Sequence, residues 1–310
     1  MSEYLVIGSG PVGRAVTSIL VEQGHTVTMA TRSGSGPDLP GVTLAAADAS
    51  AREQIEPLAR GAAAIFCAVH GSKYSAPVWR AELPPIEAAV LDVAAELSIP
   101  VVFPESMYAF GAPDGPMTET SPQTASTGKS LIRVELLRNR DAHAAQTISV
   151  AASDFFGPHA TTSHVGSLVV PKVLAGKSVL ALGAVDQPHS FTYVPDLARA
   201  MVTAAAQAQT RTESNRLLFA PTGPPLTMAE MTARVADVAG VDKVTARAIP
   251  AWLVRAGGVL VPDMREMADV LHQWTQPYVV DSSRSEDELG LKPTPLDDAL
   301  AVTVEWARNS

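Results

Sequence analysis

A chain of 310 residues with 46% hydrophobic and 18% charged side chains can bury a large core, which excludes an extensively disordered or fibrous protein. A formal net charge of -9 repels a phosphate backbone, and Lys and Arg are scattered singly; the densest group, Arg133, Arg138 and Arg140, reads as the solvated face of one helix, so nucleic acid is excluded as a partner. The single cysteine, Cys67, excludes an internal disulfide and a thiolate metal cluster and reads as a buried strand residue, which suits a reducing cytoplasm.

The elements begin at once. Tyr4–Ile7 is a short apolar run that stops at glycines, Val12–Gln23 carries apolar residues at helical spacing, and His25–Ala30 is a second β-rich run, together one βαβ unit. Further strands are predicted at Val42–Ala45, Ala63–Phe66, Val101–Phe103 and Thr147–Ala151, with helices at Ala51–Leu58, Pro85–Leu97 and Lys129–Arg140 between them. Such alternation gives an α/β fold, a doubly wound parallel sheet. After Gly157-Pro158 the pattern predicts a helix near Val165–Leu174, a strand at Val179–Leu182, a helix from Pro195 to Ala206, a strand at Leu217–Phe219 and a helix near 263–275 with a packing stripe of Met264, Met267, Leu271 and Trp274. The expected division is a nucleotide-binding core over 1–155, to which 185–210 returns, and a smaller C-terminal α/β substrate lobe over most of 156–310. The longest late apolar stretch, 249–261, is interrupted by Arg255 and too short for a bilayer, and no secretory leader is legible, so neither a membrane nor export is expected.

Gly8-Ser9-Gly10-Pro11-Val12-Gly13 matches G-x-G-x-x-G in the context that gives the motif its meaning, after a strand and at the opening of an amphipathic helix. Gly8 serves the tight turn, Gly10 lets backbone approach a pyrophosphate, Gly13 lets helix press on strand, and the helix start offers N–H groups to the anion. The second strand is followed by Arg32 and Ser33 where an NAD site places a carboxylate; a guanidinium there binds a 2′-phosphate, so NADP is favoured and NAD stays open. Asp48, after the third strand, either contacts the adenine edge or caps the helix that follows, and Ala68, after the fourth, completes the cofactor-binding set.

The glycine loop, Asp48, the turn Phe103-Pro104-Glu105-Ser106-Met107-Tyr108-Ala109-Phe110-Gly111, the run Ser153-Asp154-Phe155-Phe156-Gly157-Pro158 and the run Phe191-Thr192-Tyr193-Val194-Pro195-Asp196 resemble, in this order, the extended short-chain dehydrogenase/reductase family and its NAD-dependent epimerase/dehydratase branch. The resemblance implies a Tyr-x-x-x-Lys pair aided by a serine at the end of the fifth strand, with Tyr moving a proton while hydride moves at the nicotinamide. Lys129 matches the lysine, as a catalytic and cofactor-ribose residue, and Ser106 the serine; the tyrosine position is Ala125, which makes the chain an atypical member. Tyr108 is then the candidate phenol, while His70, Asp154 and Phe155 are candidate substrate contacts and Asp196 a helix cap. His159 and His164 lie in a loop-like stretch without a paired carboxylate pattern, and no histidine spacing supports a metal. Two functions follow as expectations: an NAD(P)-dependent oxidoreductase or epimerase-like enzyme for a small carbonyl, hydroxyl or sugar substrate, or a catalytically degenerate NADP-binding sensor or scaffold acting through protein partners. The oligomeric state is open, a homodimer included.

Overall fold

The computed structural model describes residues 1–210, 213–242, 244–258 and 261–310, without the side chains of 262 and 263. The chain divides into two compact units, the first made of Met1–Glu105, Ile132–Ala151 and Leu197–Ala220, the second of Ser106–Leu131, Ala152–Asp196 and Pro221–Ser310.

In chain order the first part of the molecule runs β1 (Glu3–Ile7), α1 (Pro11–Glu22), β2 (Thr26–Thr31), β3 (Val42–Ala46), α2 (Arg52–Ala59), β4 (Ala62–Cys67), α3 (Ala76–Leu97), β5 (Val101–Ser106), α4 (Gly128–Ala142) and β6 (Thr147–Ala152). With β10 (Asn215–Phe219) the strands form a seven-stranded sheet of order β10-β6-β5-β4-β1-β2-β3, in which β1 pairs in parallel with both β2 and β4. The strand order reverses beside β1, so the crevice at the C-terminal ends of β1 and β4 is the switch point where open α/β sheets take ligands. The strands are the short apolar runs expected of a sheet covered on both faces, and Leu5, Ile65, Val101 and Phe103 are fully buried with Ile55, Val90 and Val93 of the covering helices.

Helix α3 starts nine residues before the predicted Pro85 and runs through Pro84 and Pro85. Each proline removes an N–H from the helical ladder, but Trp79 and Leu83, 1% and 2% exposed, bury the preceding turns and hold the segment helical. The reading of Arg133 and Arg140 as a solvated face is also corrected: both are buried, and only Arg138 faces solvent. Arg140 donates to Glu87 through Nε at 2.7 Å and Nη2 at 2.5 Å, and through Nη1 to Glu105 and to the Ser149 hydroxyl at 2.9 Å each. Its side chain also covers the Phe103 ring at 4.1 Å, while Arg133 lies 4.8 Å from the Trp79 centroid and 3.5 Å from Glu105. Two carboxylates from different elements meeting one guanidinium explain how so much charge stays inside.

The second unit is built from β7 (Asp154–Phe156) paired with β9 (Phe191–Tyr193), β8 (Val179–Leu182) paired with β11 (Ala246–Ile249), and helices α5 (Val170–Leu174), α7 (Met228–Ala239), α8 (Ala251–Gly257), α9 (Pro262–Asp269), α10 (Ser283–Leu289) and α11 (Leu296–Arg308); α6 (Val194–Ala208) begins in it. Its core gathers Phe156, Val165, Val169, Val173, Met231, Val235, Trp274, Leu300 and Val304. A reciprocal capping box between Thr227 and Glu230 sets the start of α7. The helix predicted over Val165–Leu174 opens as a π-turn, Val165–Val169, and the one over 263–275 ends at Asp269, with a 3₁₀ turn at Leu271–Trp274 carrying the buried half of its stripe. Of the apolar stretch 249–261, residues 259 and 260 lie outside the described residues; among those described, no helix is long and apolar enough to cross a membrane.

Candidate functional site

In the first unit the three loop glycines differ in what requires them. Gly8 sits at φ +103, its N–H donates to Ala30 O at 2.9 Å, and a Cβ on it would lie 2.7 Å from Ala68 O; a Cβ on Gly13 would land on the Gly8 carbonyl. Those two are glycines because the protein's own backbone fills the space. A Cβ on Gly10 meets nothing within 4 Å, so no protein atom excludes a side chain there. Gly10 is the N-cap of α1, Pro11 follows at the start of the helix, and no side chain caps the first turn; Arg14 Nε donates to Ser9 O at 2.9 Å, closing the loop from the other side. The helix start therefore keeps the partial positive end of its dipole, uncapped by any side chain, behind a glycine with free space around it.

Arg32 and Ser33 follow β2 directly and are exposed; the Ser33 hydroxyl bonds Ser35 at 2.7 Å, and no hydrogen bond or ion pair among the described residues holds the Arg32 guanidinium. Asp48 is exposed too. It does not cap α2, whose N-cap is Ala51: its Oδ1 accepts from Ser50 N at 2.9 Å and Ser50 Oγ at 2.8 Å, which hold its carboxyl below the usual carboxylate range. Residues 47–51 connect strand to helix, and within them the Asx contact of Asp48 with Ser50, two residues on, takes the carboxylate in place of a cap. Ala68 lies against Gly8, and its N–H donates to Ile7 O at 2.8 Å.

His70, two residues on, keeps an open edge while its ring meets Trp79 edge-on at 4.7 Å, and this desolvation, with the charge of Arg133, pushes its pKa down to about 4. Its Nδ1 is 3.1 Å from the Gly71 carbonyl, which only accepts, so Nδ1 carries the proton of a neutral ring and Nε2 is left as an acceptor. Cys67 is fully enclosed in β4 and its thiol is pushed up to about 12 by burial, an inert core residue.

In the second unit Ser106 ends β5 and caps the 3₁₀ turn Met107–Phe110 that carries Tyr108. Beneath this turn Tyr278, 1% exposed, donates its hydroxyl to Met107 O at 2.9 Å; burial, with Tyr108 nearby, raises its pKa well above the ordinary phenol value. Ala125 is not helical. It precedes α4 by three residues and its N–H donates to Ala109 O at 3.2 Å, so residues 125 and 129 do not share a helix face.

Lys129 is fully buried, and its ammonium donates to the Glu266 carbonyl at 2.9 Å and to the Glu266 carboxylate. One turn further along α9, Asp269 accepts from the Thr127 hydroxyl at 3.0 Å, and a Cβ on Gly128, φ +54, would strike that same carboxylate. Sequence reasoning missed Glu266 and Asp269; 137 residues separate Lys129 from its partner, and nothing in the sequence marks the pairing.

Asp154 and Phe155 open β7, both partly exposed. His164 has a carboxylate near it that no spacing pattern announces: its Nδ1 lies 3.7 Å from Asp154 Oδ2, on a strand ten residues upstream. The His164 ring meets Trp274 at 4.2 Å, and on the same indole His189 stacks at 4.0 Å and 14°. His189, 2% exposed, has Nδ1 at 3.0 Å from Gln273 O, and burial pushes its pKa to about 4; its Nε2 has no hydrogen-bond partner. Asp196 binds Thr294 through N and Oγ1 at 2.7 and 2.6 Å. No group of three or more His, Cys, Asp or Glu among the described residues could hold a metal ion.

Comparison with solved structures places this architecture beside a UDP-glucose 4-epimerase with UDP-glucose from the hyperthermophilic eubacterium Thermotoga maritima, at TM-score 0.78 and 16% identity over 99% of both chains. The Bordetella bronchiseptica enzyme WbmH in complex with NAD+ matches at TM-score 0.77 and 16% identity, over 99% of this chain and 98% of that one. A UDP-glucose 4-epimerase from Thermus thermophilus in complex with NAD matches at TM-score 0.76 and 17% identity over 99% of both. At these identities the likeness carries the fold. No curated protein matches the sequence. The model of the NAD dependent epimerase/dehydratase family matches residues 4–217, more than two thirds of the chain, with the glycine loop, Ser106 and Lys129 all inside the match, and on that evidence the chain belongs to the NAD dependent epimerase/dehydratase family.

Proposed function

We propose that this protein binds a nicotinamide dinucleotide on the loop Gly8–Gly13 and uses it for hydride transfer on a small carbonyl, hydroxyl or sugar substrate. The observation that carries the reading is Gly10: the fold itself demands Gly8 and Gly13 but leaves open space at Gly10, and a residue kept side-chain-free ahead of an uncapped helix start is what a diphosphate needs. Membership of the family and the NAD in two of the matched structures support the same cofactor class. Bound there, the dinucleotide supplies a hydride donor or acceptor. The chain's own residues have separate tasks. The amides of the loop hold the diphosphate; Arg32, exposed and uncommitted at the end of β2, pairs with a 2′-phosphate and so favours NADP; Asp48 and Ala68 border the nucleotide; Ser106 and Tyr108 present hydroxyls, and His70, Asp154 and Phe155 contact substrate.

A second reading, a dinucleotide-binding sensor or scaffold without turnover, is favoured by one observation: the ammonium of Lys129, which would acidify a phenol, is spent on Glu266, and residue 125 has no phenol to acidify. Calorimetry with NAD+, NADH, NADP+ and NADPH, followed by a turnover screen of aldehydes, ketones and UDP-glucose, separates the two. Binding with turnover is expected; binding with no hydride transfer to any of them selects the sensor, and no binding of any dinucleotide overturns both.

A further inference from the structure

The second unit holds a cavity of about 400 Å³ whose walls include neither the glycine loop nor Ser106, Tyr108 or Lys129. Its described lining residues all belong to that unit. We propose that this cavity is a ligand site of its own and that it takes an uncharged, flat, bicyclic aromatic molecule. The inference uses no dinucleotide and stands apart from hydride transfer.

The chemistry of the wall sets the class of ligand. Phe156, Phe191 and Tyr193 bring rings from β7 and β9, with Phe156 and Tyr193 in register and their centroids 5.4 Å apart at 36°. Pro221, Pro224, Pro293 and Pro295 add apolar surface without an N–H, and Leu226 and Leu296 complete it. Such a wall stacks on a flat apolar ring and offers it few hydrogen bonds, as small-molecule pockets do. Size sets the number of rings: an apolar cavity of about 150 Å³ holds one benzene, so about 400 Å³ takes a fused pair with its substituents.

Charge decides the rest. Of the described residues in the wall, Asp196 and Arg234 are charged, and the protein answers both. Asp196, 1% exposed, lies in the first turn of α6 and takes the Thr294 N–H and hydroxyl at 2.7 and 2.6 Å. Arg234 donates through Nη2 to both oxygens of Asp297 at 2.5 and 2.6 Å. An anion would meet the carboxylates of Asp196 and Asp297, and a cation would need a carboxylate that is already committed, so the ligand is uncharged. The walls are also set before it arrives. Leu226 exchanges both backbone hydrogen bonds with His189 at 2.9 Å, the Thr227–Glu230 capping box fixes the turn after it, and a Cβ on Gly157, φ +137, would come within 3.1 Å of the Tyr193 ring. A preformed cavity spends little ordering entropy on binding.

The test uses the full chain and 2-naphthol, with 2-naphthoate and 2-naphthylmethylammonium as charged probes of similar shape, read by ¹H–¹³C NMR of the leucine methyl groups. 2-Naphthol should shift the Leu226 and Leu296 methyls by its ring current and do so saturably, and each charged probe should bind about tenfold more weakly. A Cβ on Gly223, in the cavity wall, meets nothing within 4 Å, so Gly223→Leu is compatible with the fold and should weaken 2-naphthol about tenfold with the thermal unfolding midpoint unmoved. Leu226→Trp, which enlarges another wall residue, should do the same. No shift of either methyl with 2-naphthol, binding that survives unchanged in both variants, or a charged probe that binds as tightly as 2-naphthol overturns the proposal. A chain that binds no dinucleotide overturns the redox reading instead and leaves this result in place.

Discussion

Two helices of this protein begin in opposite ways. Helix α1 starts at Gly10 with no capping side chain, no acidic residue in its first turn and, its chain neighbours aside, no atom of the described residues within 4 Å of where a Cβ would be. Helix α4 starts at Gly128 under two carboxylates of α9: Asp269 takes the Thr127 hydroxyl and crowds Gly128, and Glu266 takes the Lys129 ammonium. Both starts offer N–H groups and positive potential. One has the chain's own acids beside it, and the other has no capping side chain and no acidic residue in its first turn. The difference teaches that an expectation about Lys129 cannot be transferred from sequence position alone, since an amine with a buried internal counter-charge is part of the packing before it is part of a site.

The largest effect is expected at the filled start. Glu266→Ala removes the carboxylate from an ammonium with no solvent access, and breaking a buried pair on one side costs about 3 kcal/mol; Lys129→Met, which removes the charge that needs a partner, should cost less. Urea denaturation of the two variants checks the order, and equal costs would mean that Lys129 is not a buried charge in solution. A second large effect depends on pH. His189 has a folded pKa pushed from 6.5 to about 4 by burial. Between these values the unfolded chain binds the proton and the folded one does not, so the stability is fully present above pH 6.5 and is lost as pH falls towards 4, by about 3 kcal/mol at most. His189→Gln should flatten the stability curve through that window, and an unchanged slope would place the acid sensitivity in another group.

The same contrast explains what can be read from the sequence. The glycine loop is legible because its demand is local: Gly8 and Gly13 answer to backbone atoms of neighbouring strand, helix and loop within the first unit, and the alternating apolar runs place the sheet. Whatever depends on partners far along the chain is not. Arg140 looks like a surface arginine until Glu87 and Glu105, from two other elements, arrive at its guanidinium; Lys129 looks available until α9 is placed; His164 looks like a loop residue until β7 supplies Asp154. Proline punctuation misleads for the same reason, because the burial of Trp79 and Leu83 outweighs the two lost N–H bonds in α3. Asp48 misleads more locally, where a hydrogen bond to Ser50 rather than a helix cap uses the carboxylate.

At the bare start the expected changes are in binding rather than in folding. Gly10→Ala adds a methyl group into open space at a helix N-cap, and its effect on stability should stay within a few tenths of a kcal/mol of zero. If a diphosphate approaches that backbone, the same methyl group stands in its way, and affinity for NADPH and NADH alike should fall about tenfold, roughly 1.4 kcal/mol. Gly13→Ala would lose both binding and stability because its methyl group strikes the Gly8 carbonyl, so only Gly10 separates ligand from fold. Arg32→Ala then refines the reading with the smallest change: it touches no internal contact among the described residues, so stability should not move, and NADPH should weaken severalfold while NADH hardly changes, because only the former carries a 2′-phosphate for the guanidinium. Calorimetry of both variants against both nucleotides decides the assignment. Loss of NADPH and NADH together at Gly10 but of NADPH alone at Arg32 assigns the diphosphate to the helix start and the 2′-phosphate to the end of β2; equal losses at Arg32 would assign its charge to the general field of the crevice and leave the choice between NADP and NAD to other residues.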